Sequence, residues 1–117
     1  MTTNRITMAA KSKPRGRKAV SLPFVICRCS AAGVHAGYLV SRNGDEVTLS
    51  KSRRLWRWVV PIGKGSFLSG VALHGLGDGA KVGEAVDLTL LGVCEVIATA
   101  PIAQSSIEGY ANVPRVN

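Results

Sequence analysis

For general-base chemistry near neutral pH this 117-residue chain has only two histidines, and its acidic side chains number seven. The acids are Asp45, Glu46, Asp78, Glu84, Asp87, Glu95 and Glu108, and no two form a DxD or HxE spacing that would suggest a metal site. There is no HxxxH, no second cysteine pair for zinc and no GxSxG elbow for a nucleophilic serine. His35 sits between Val34 and Ala36 in a β-patterned run and reads as a packed histidine. His74 falls at the end of a short helical pattern, where the helix dipole favours its charged form. The expectation is a protein that is not an enzyme and carries no cofactor or metal. Long apolar runs are also missing. None approaches the roughly 18–20 residues of a membrane-spanning helix, and the basic start is broken by Pro14 and Gly16 rather than followed by an apolar segment. The reading is therefore synthesis in a cytoplasm, with no membrane partner and no general secretory export.

The cation excess is unevenly placed. Residues 1–22 hold Arg5, Lys11, Lys13, Arg15, Arg17 and Lys18 and no acid, whereas residues 23–117 carry nine basic against seven acidic groups. Lys, Ser, Pro, Gly and Arg dominate 11–18 without hydrophobic periodicity, the composition of a segment that is disordered in isolation. The domain reading is a basic extended arm over 1–22 and one small β-rich domain over 23–117. The arm suits phosphates or an acidic protein surface, or serves only to solubilise.

Within the domain, Leu22–Cys29 alternates Phe24 and Ile26 against Val25, Cys27 and Cys29. Val34–Arg42 forms a second strand, and Asn43-Gly44 predicts a tight hairpin turn into a third strand opening at Glu46–Leu49. A polar break, Ser50-Lys51-Ser52, precedes the Arg/Trp strand. Pro61–Gly65 is a loop whose GKGS lacks phosphate-loop spacing. Ser66–His74 predicts a helix capped by Ser66, and 76–82 a glycine-rich loop. Ala85–Thr99 is an apolar stretch whose parity breaks near Gly92, and Pro101–Tyr110 a second helix. The fold class that follows is mainly β (β-rich α+β). It is a small curled antiparallel sheet or partly open barrel of about five strands, with two short helices at its rim or mouth. The limited core favours a homo-oligomer.

Two surfaces stand out. Ser52–Val60 holds Arg53, Arg54 and Arg57 with both tryptophans, Trp56 and Trp58; alternation puts Arg53, Leu55 and Arg57 on one face and Arg54, Trp56 and Trp58 on the other. Rings beside guanidiniums either stack against a partner or fill the core, with the arginine stems covering the edge. Cys27, Cys29 and Cys94 are read either as buried thiols or, given the odd count, as candidates for an intermolecular disulfide in an assembly that matures under oxidising conditions.

Residues 34–58 carry a resemblance. Val34-His35-Ala36-Gly37-Tyr38-Leu39, then Ser41-Arg42-Asn43-Gly44-Asp45-Glu46-Val47-Thr48-Leu49, then Arg53-Arg54-Leu55-Trp56-Arg57-Trp58, are similar to a family of small, functionally uncharacterised proteins in tailed-phage genomes. The pattern there is close to G-V-H-x-G-x-L-x-S-R-x-G-x-E-V-x-L followed by A-R-R-L/I-W-x-W. The likeness extends over about residues 24–116. Ser52 stands where the pattern has Ala, and Val59–Gly65 is longer than the usual link. The resemblance implies phage origin and a small β-rich domain, and no catalytic residues. Two functions are expected. One is a virion component, such as a capsid decoration or cement protein, whose partners are capsid or other virion subunits met through the arm and through Val25, Cys27, Trp56 and Trp58. The other is a nucleic-acid-binding or nucleotide-sequestering protein made during infection, with the arm screening phosphates and the Arg/Trp strand stacking bases.

Overall fold

The computed structural model describes residues 22–112. Strands β1 (Phe24–Cys29), β2 (Gly33–Asn43) and β3 (Glu46–Arg57) form an antiparallel meander, followed by helix α1 (Leu68–His74), a two-residue strand β4 (Lys81–Val82), β5 (Val86–Leu90), β6 (Val93–Ala98) and helix α2 (Pro101–Gly109). The sheet runs β4-β3-β2-β1-β6, with β5 also pairing β3, and it does not close. The β-rich fold expected from the sequence is what forms.

The alternation of β1 divides the core in two. Phe24 and Ile26 face a cluster completed by Val34, Ala36, Leu55, Val82 and the inner sides of α1 (Leu68, Val71, Ala72) and α2 (Ile107). Val25, Cys27 and Cys29 face a second cluster with Val47, Leu49, Leu90 and Val93. The helices therefore cover one face of the sheet, rather than sitting at a rim or mouth. Both helices form, α1 turning Leu68, Val71 and Ala72 inward while Phe67 and Leu73, which its spacing placed on the inner face, stand exposed; Pro101 occupies the first turn of α2. Ser66 does not cap α1: the helix starts at Leu68 with Phe67 in the cap position and no side-chain cap bond.

A tight link forces the sheet to fold over. β5 and β6 follow one another through Leu91-Gly92 alone, yet β5 pairs β3 and β6 pairs β1, at opposite edges. Five strands laid flat would separate those edges by about 19 Å. Three Cα steps span at most about 11 Å. The meander meets this by bending. Register shifts fall between Ala36 and Tyr38 and between Leu39 and Ser41 in β2, and across from them Lys51 adopts a left-handed φ of 52°. The polar break at Ser50–Ser52 is thus a bulge inside one long strand rather than a gap between two. Asp87 holds it, accepting from the Lys51 backbone N–H (3.0 Å) and from Ser50 Oγ (3.3 Å). Beyond the bend, the tip of the β2–β3 hairpin returns to β6, with Val93 N–H donating to the Asp45 carbonyl at 2.9 Å. The second cluster is the layer enclosed between the two halves. At the hairpin tip the loop is Gly44-Asp45, with Asn43 and Glu46 paired; Gly44 (φ 63°) takes the position that needs positive φ, one residue later than an Asn-Gly turn would have it. Gly92 (φ 75°) does the same at the β5–β6 link. The glycine-rich loop contains β4, whose Lys81 and Val82 pair with Arg57 and Leu55.

Candidate functional site

The C-terminal half of β3 carries Arg53, Arg54, Trp56 and Arg57, with Trp58 just beyond its end, and strand alternation sends Arg53 and Arg54 to opposite faces. Arg53 turns toward the helices. It is 5% exposed and all three of its guanidinium nitrogens donate: Nε to the Gly83 carbonyl (2.8 Å), Nη1 to those of Ile107 (2.8 Å) and Tyr110 (2.6 Å), and Nη2 to the Asn112 side chain. The two helix-end carbonyls belong to the last turn of α2 and the residue after it, so Arg53 caps that helix from below. No carboxylate is among these partners; carbonyl dipoles alone balance the charge, and burial lowers the arginine's pKa. Arg53 was expected on a partner-binding surface and is instead interior, because its strand neighbours Ala36 and Leu55 face the helix layer.

Arg54 and Trp56 point to the other side. Arg54 is exposed, and its guanidinium lies over Gly33, whose lack of a side chain leaves the space; a Cβ there would stand 3.1 Å from Nη2. Trp56 is 66% exposed, with the Lys81 ammonium 5.8 Å from its ring centroid. Arg57 is exposed beside it. Trp58, just past the strand, is half-buried against the helix-side core. The ring pair therefore splits: Trp58 packs, Trp56 stands free with Arg54, Arg57 and Lys81 along one edge. Lys81 joins this set only through the β3–β4 pairing, which the loop-like composition of 76–82 concealed. After the strand, Val59, Val60, Pro61 and Ile62, with Leu76, Gly77 and Asp78, line a cleft of about 400 Å³ whose one charged side chain is Asp78.

On the Arg54 side of the strand, two buried polar atoms find no partner among the described residues. His35, paired across to Cys27 on β1 and Arg54 on β3, donates from Nε2 to the Ala32 carbonyl at 2.8 Å, which leaves Nδ1 unpartnered. Burial lowers its pKa, the bond to the Ala32 carbonyl works against this and Arg54 adds to it; the ring is a packed histidine, as its apolar neighbours suggest. Ser52 Oγ is likewise buried and unpartnered. Of the thiols, Cys27 and Cys29 are buried, and burial pushes Cys27 up to about 11. An intermolecular disulfide through either is closed off in the folded chain; Cys94 alone is exposed. Val25 is also interior, not a subunit contact. On the helix side, Tyr38 donates to Glu108 and accepts from Gln104 Nε2 (3.1 Å), pinning α2 to β2; the Glu108 bond raises the tyrosine pKa first, burial second. Further large apolar side chains stand exposed at Ile62, Phe67, Leu73 and Ile102.

Among the described residues, no three His, Cys, Asp or Glu side chains gather as a metal site, and no helix is long and apolar enough to cross a membrane. Arg5, Lys11, Lys13, Arg15, Arg17 and Lys18 lie outside the described residues. No curated protein and no solved structure matches the chain. A family sequence model does match it over residues 22–107, nearly all of the described residues, and the chain belongs to that family, a domain of unknown function (DUF6948).

Proposed function

We propose that the protein is a non-enzymatic phage accessory protein that works by docking, as a structural component of the virion bound to neighbouring capsid or other virion subunits. The observation that carries this reading is Trp56: a large ring left two-thirds exposed on a strand edge, beside Arg54, Arg57 and Lys81. Leaving such a ring in water gives up favourable burial, and Trp with Arg is the composition of interface anchors. The exposed Phe67, Leu73 and Ile102 on the helix side add apolar area suited to a subunit contact or a homo-oligomer. The basic residues of 1–22 would supply a second, electrostatic attachment. The phage setting comes from the sequence resemblance. Mass spectrometry of purified particles tests the reading: stoichiometric copies support it, and absence or trace amounts defeat it.

A second reading is favoured by the position of Lys81 on the face of Trp56. A ring with a cation over it and two guanidiniums beside it is also a platform for a base and its phosphate. Titration with DNA, RNA and free nucleotides at two salt concentrations separates the two. A salt-dependent affinity lost in Trp56→Ala supports nucleic-acid or nucleotide capture; no binding at low salt removes it.

A further inference from the structure

Cys94 sits in an irregularity of the β1–β6 ladder. Cys29 pairs with Val93 and Arg28 with Glu95, so Cys94 is the extra residue that faces the Arg28–Cys29 peptide without a partner of its own. Its thiol donates to the Arg28 carbonyl at 3.2 Å, which places Sγ against the very peptide that leads into Cys29. A residue one place along from a direct antiparallel partner has its Cα roughly 5–7 Å away, overlapping the 4.4–6.8 Å range that disulfides span. Cys94 is exposed and Cys29 is 5% exposed just inside it. The two thiols are close enough that Cys94, after burial, contributes to raising the Cys29 pKa. Cys27 is different. It is fully buried, its direct partners are Val96 on β6 and His35 on β2, and no cysteine faces it across either ladder.

We propose that Cys94 is a thiol–disulfide exchange site for small disulfides, with Cys29 as its resolving thiol, so that oxidation closes a clip between β1 and β6 within one chain. The Cys94 thiolate attacks one sulfur of a low-mass disulfide such as oxidised glutathione. A mixed disulfide forms, and the first glutathione leaves as a thiol, taking up the proton that Cys94 lost. A χ1 rotation then brings the Cys94 sulfur to Cys29. The Cys29 thiolate attacks it, the Cys29–Cys94 bond forms, and the second glutathione leaves as a thiol. Two protein thiols are oxidised and one small disulfide is reduced to two thiols. The raised Cys29 pKa makes the second step the slower one, because the thiolate is the nucleophile. The clip would reinforce the ladder beside the β5–β6 link, at the open side of the folded-over sheet.

The test uses the full chain treated with oxidised glutathione, quenched in acid, alkylated with and without denaturant, and mapped by mass spectrometry without reduction. The proposal expects the loss of two hydrogen masses per chain, one cross-linked peptide pair joining Cys29 to Cys94, and alkylation of Cys27 only after denaturation. A glutathione adduct that persists on Cys94, a Cys94-linked dimer, or no reaction would each overturn it. Cys29→Ser is expected to trap the mixed disulfide on Cys94. Cys94→Ser, a change at an exposed position, is expected to abolish reaction in the folded chain; oxidation of Cys29 in that variant would contradict the order of attack.

Discussion

Replacing Arg53 with methionine isolates the most concentrated polar feature of the fold. Methionine keeps an unbranched stem between Ala36, Leu55 and α2 but removes every donor. Three backbone carbonyls, those of Gly83, Ile107 and Tyr110, each lose a bond of 2.6–2.8 Å from a charged group. Hydrogen bonds to charged groups contribute about 1.5–3 kcal/mol apiece, so three set an upper range of roughly 5–9 kcal/mol. Two effects reduce it. The guanidinium's own desolvation cost disappears, and the end of α2 can fray enough to let water reach the Ile107 and Tyr110 carbonyls. A net loss of about 3 kcal/mol is expected, a large share of the 5–15 kcal/mol that holds a domain of this size, and a fall in melting temperature of roughly 12–24 °C. Urea unfolding followed by tryptophan fluorescence reads it, since Trp58 packs against the core that α2 covers. The control is Arg54→Met one residue on, exposed and bonded to none of those carbonyls, expected within about 0.5 kcal/mol of the parent. A cost below about 1 kcal/mol at Arg53, or equal costs at the two positions, would refute the capping account.

Two further substitutions probe the buried polar atoms on the Arg54 side of the strand. Ser52→Ala deletes a hydroxyl with no partner while keeping the Cβ that meets Gly37, so it is expected to raise stability by about 1 kcal/mol in urea unfolding; a loss of that size would reveal a bonded hydroxyl. His35 gives a pH dependence. Its folded pKa lies below the ordinary 6.5, so under acid the unfolded chain takes up the proton first. Its contribution is complete above about pH 6.5 and declines as the pH falls toward the folded value. The urea midpoint is therefore expected to drop between pH 7 and pH 5 in the parent and to flatten in His35→Gln; a parent midpoint constant over that interval would contradict burial of a neutral imidazole.

The legible parts of the fold are those in which neighbours in sequence settle the matter. Phe24 to Cys29 alternate strictly, and both clusters can be sorted from them; Pro101 marks the start of α2. What the sequence hides is long-range. Lys51 looks like one more polar residue in a break, but in the fold it is the left-handed residue of a bulge, and the hydroxyl, backbone and carboxylate groups that stabilise it come together only when β5 arrives with Asp87. The acceptors of Arg53 on α2 and beyond lie 54 to 59 residues later, so nothing near it distinguishes it from Arg54. Trp56 and Trp58 share a parity in an extended chain, and they separate only because β3 ends between them at Arg57.

The two-residue tether between strands on opposite edges also sets how this domain can breathe. Its hairpin cannot lift away as a separate flap, because β5 goes with it and pulls on β6, and through β6 on β1. Backbone amides as far apart as Val47 and Cys27 should therefore exchange with deuterium at a common free energy, as members of one cooperative unit, instead of opening in sequence from the tip inward.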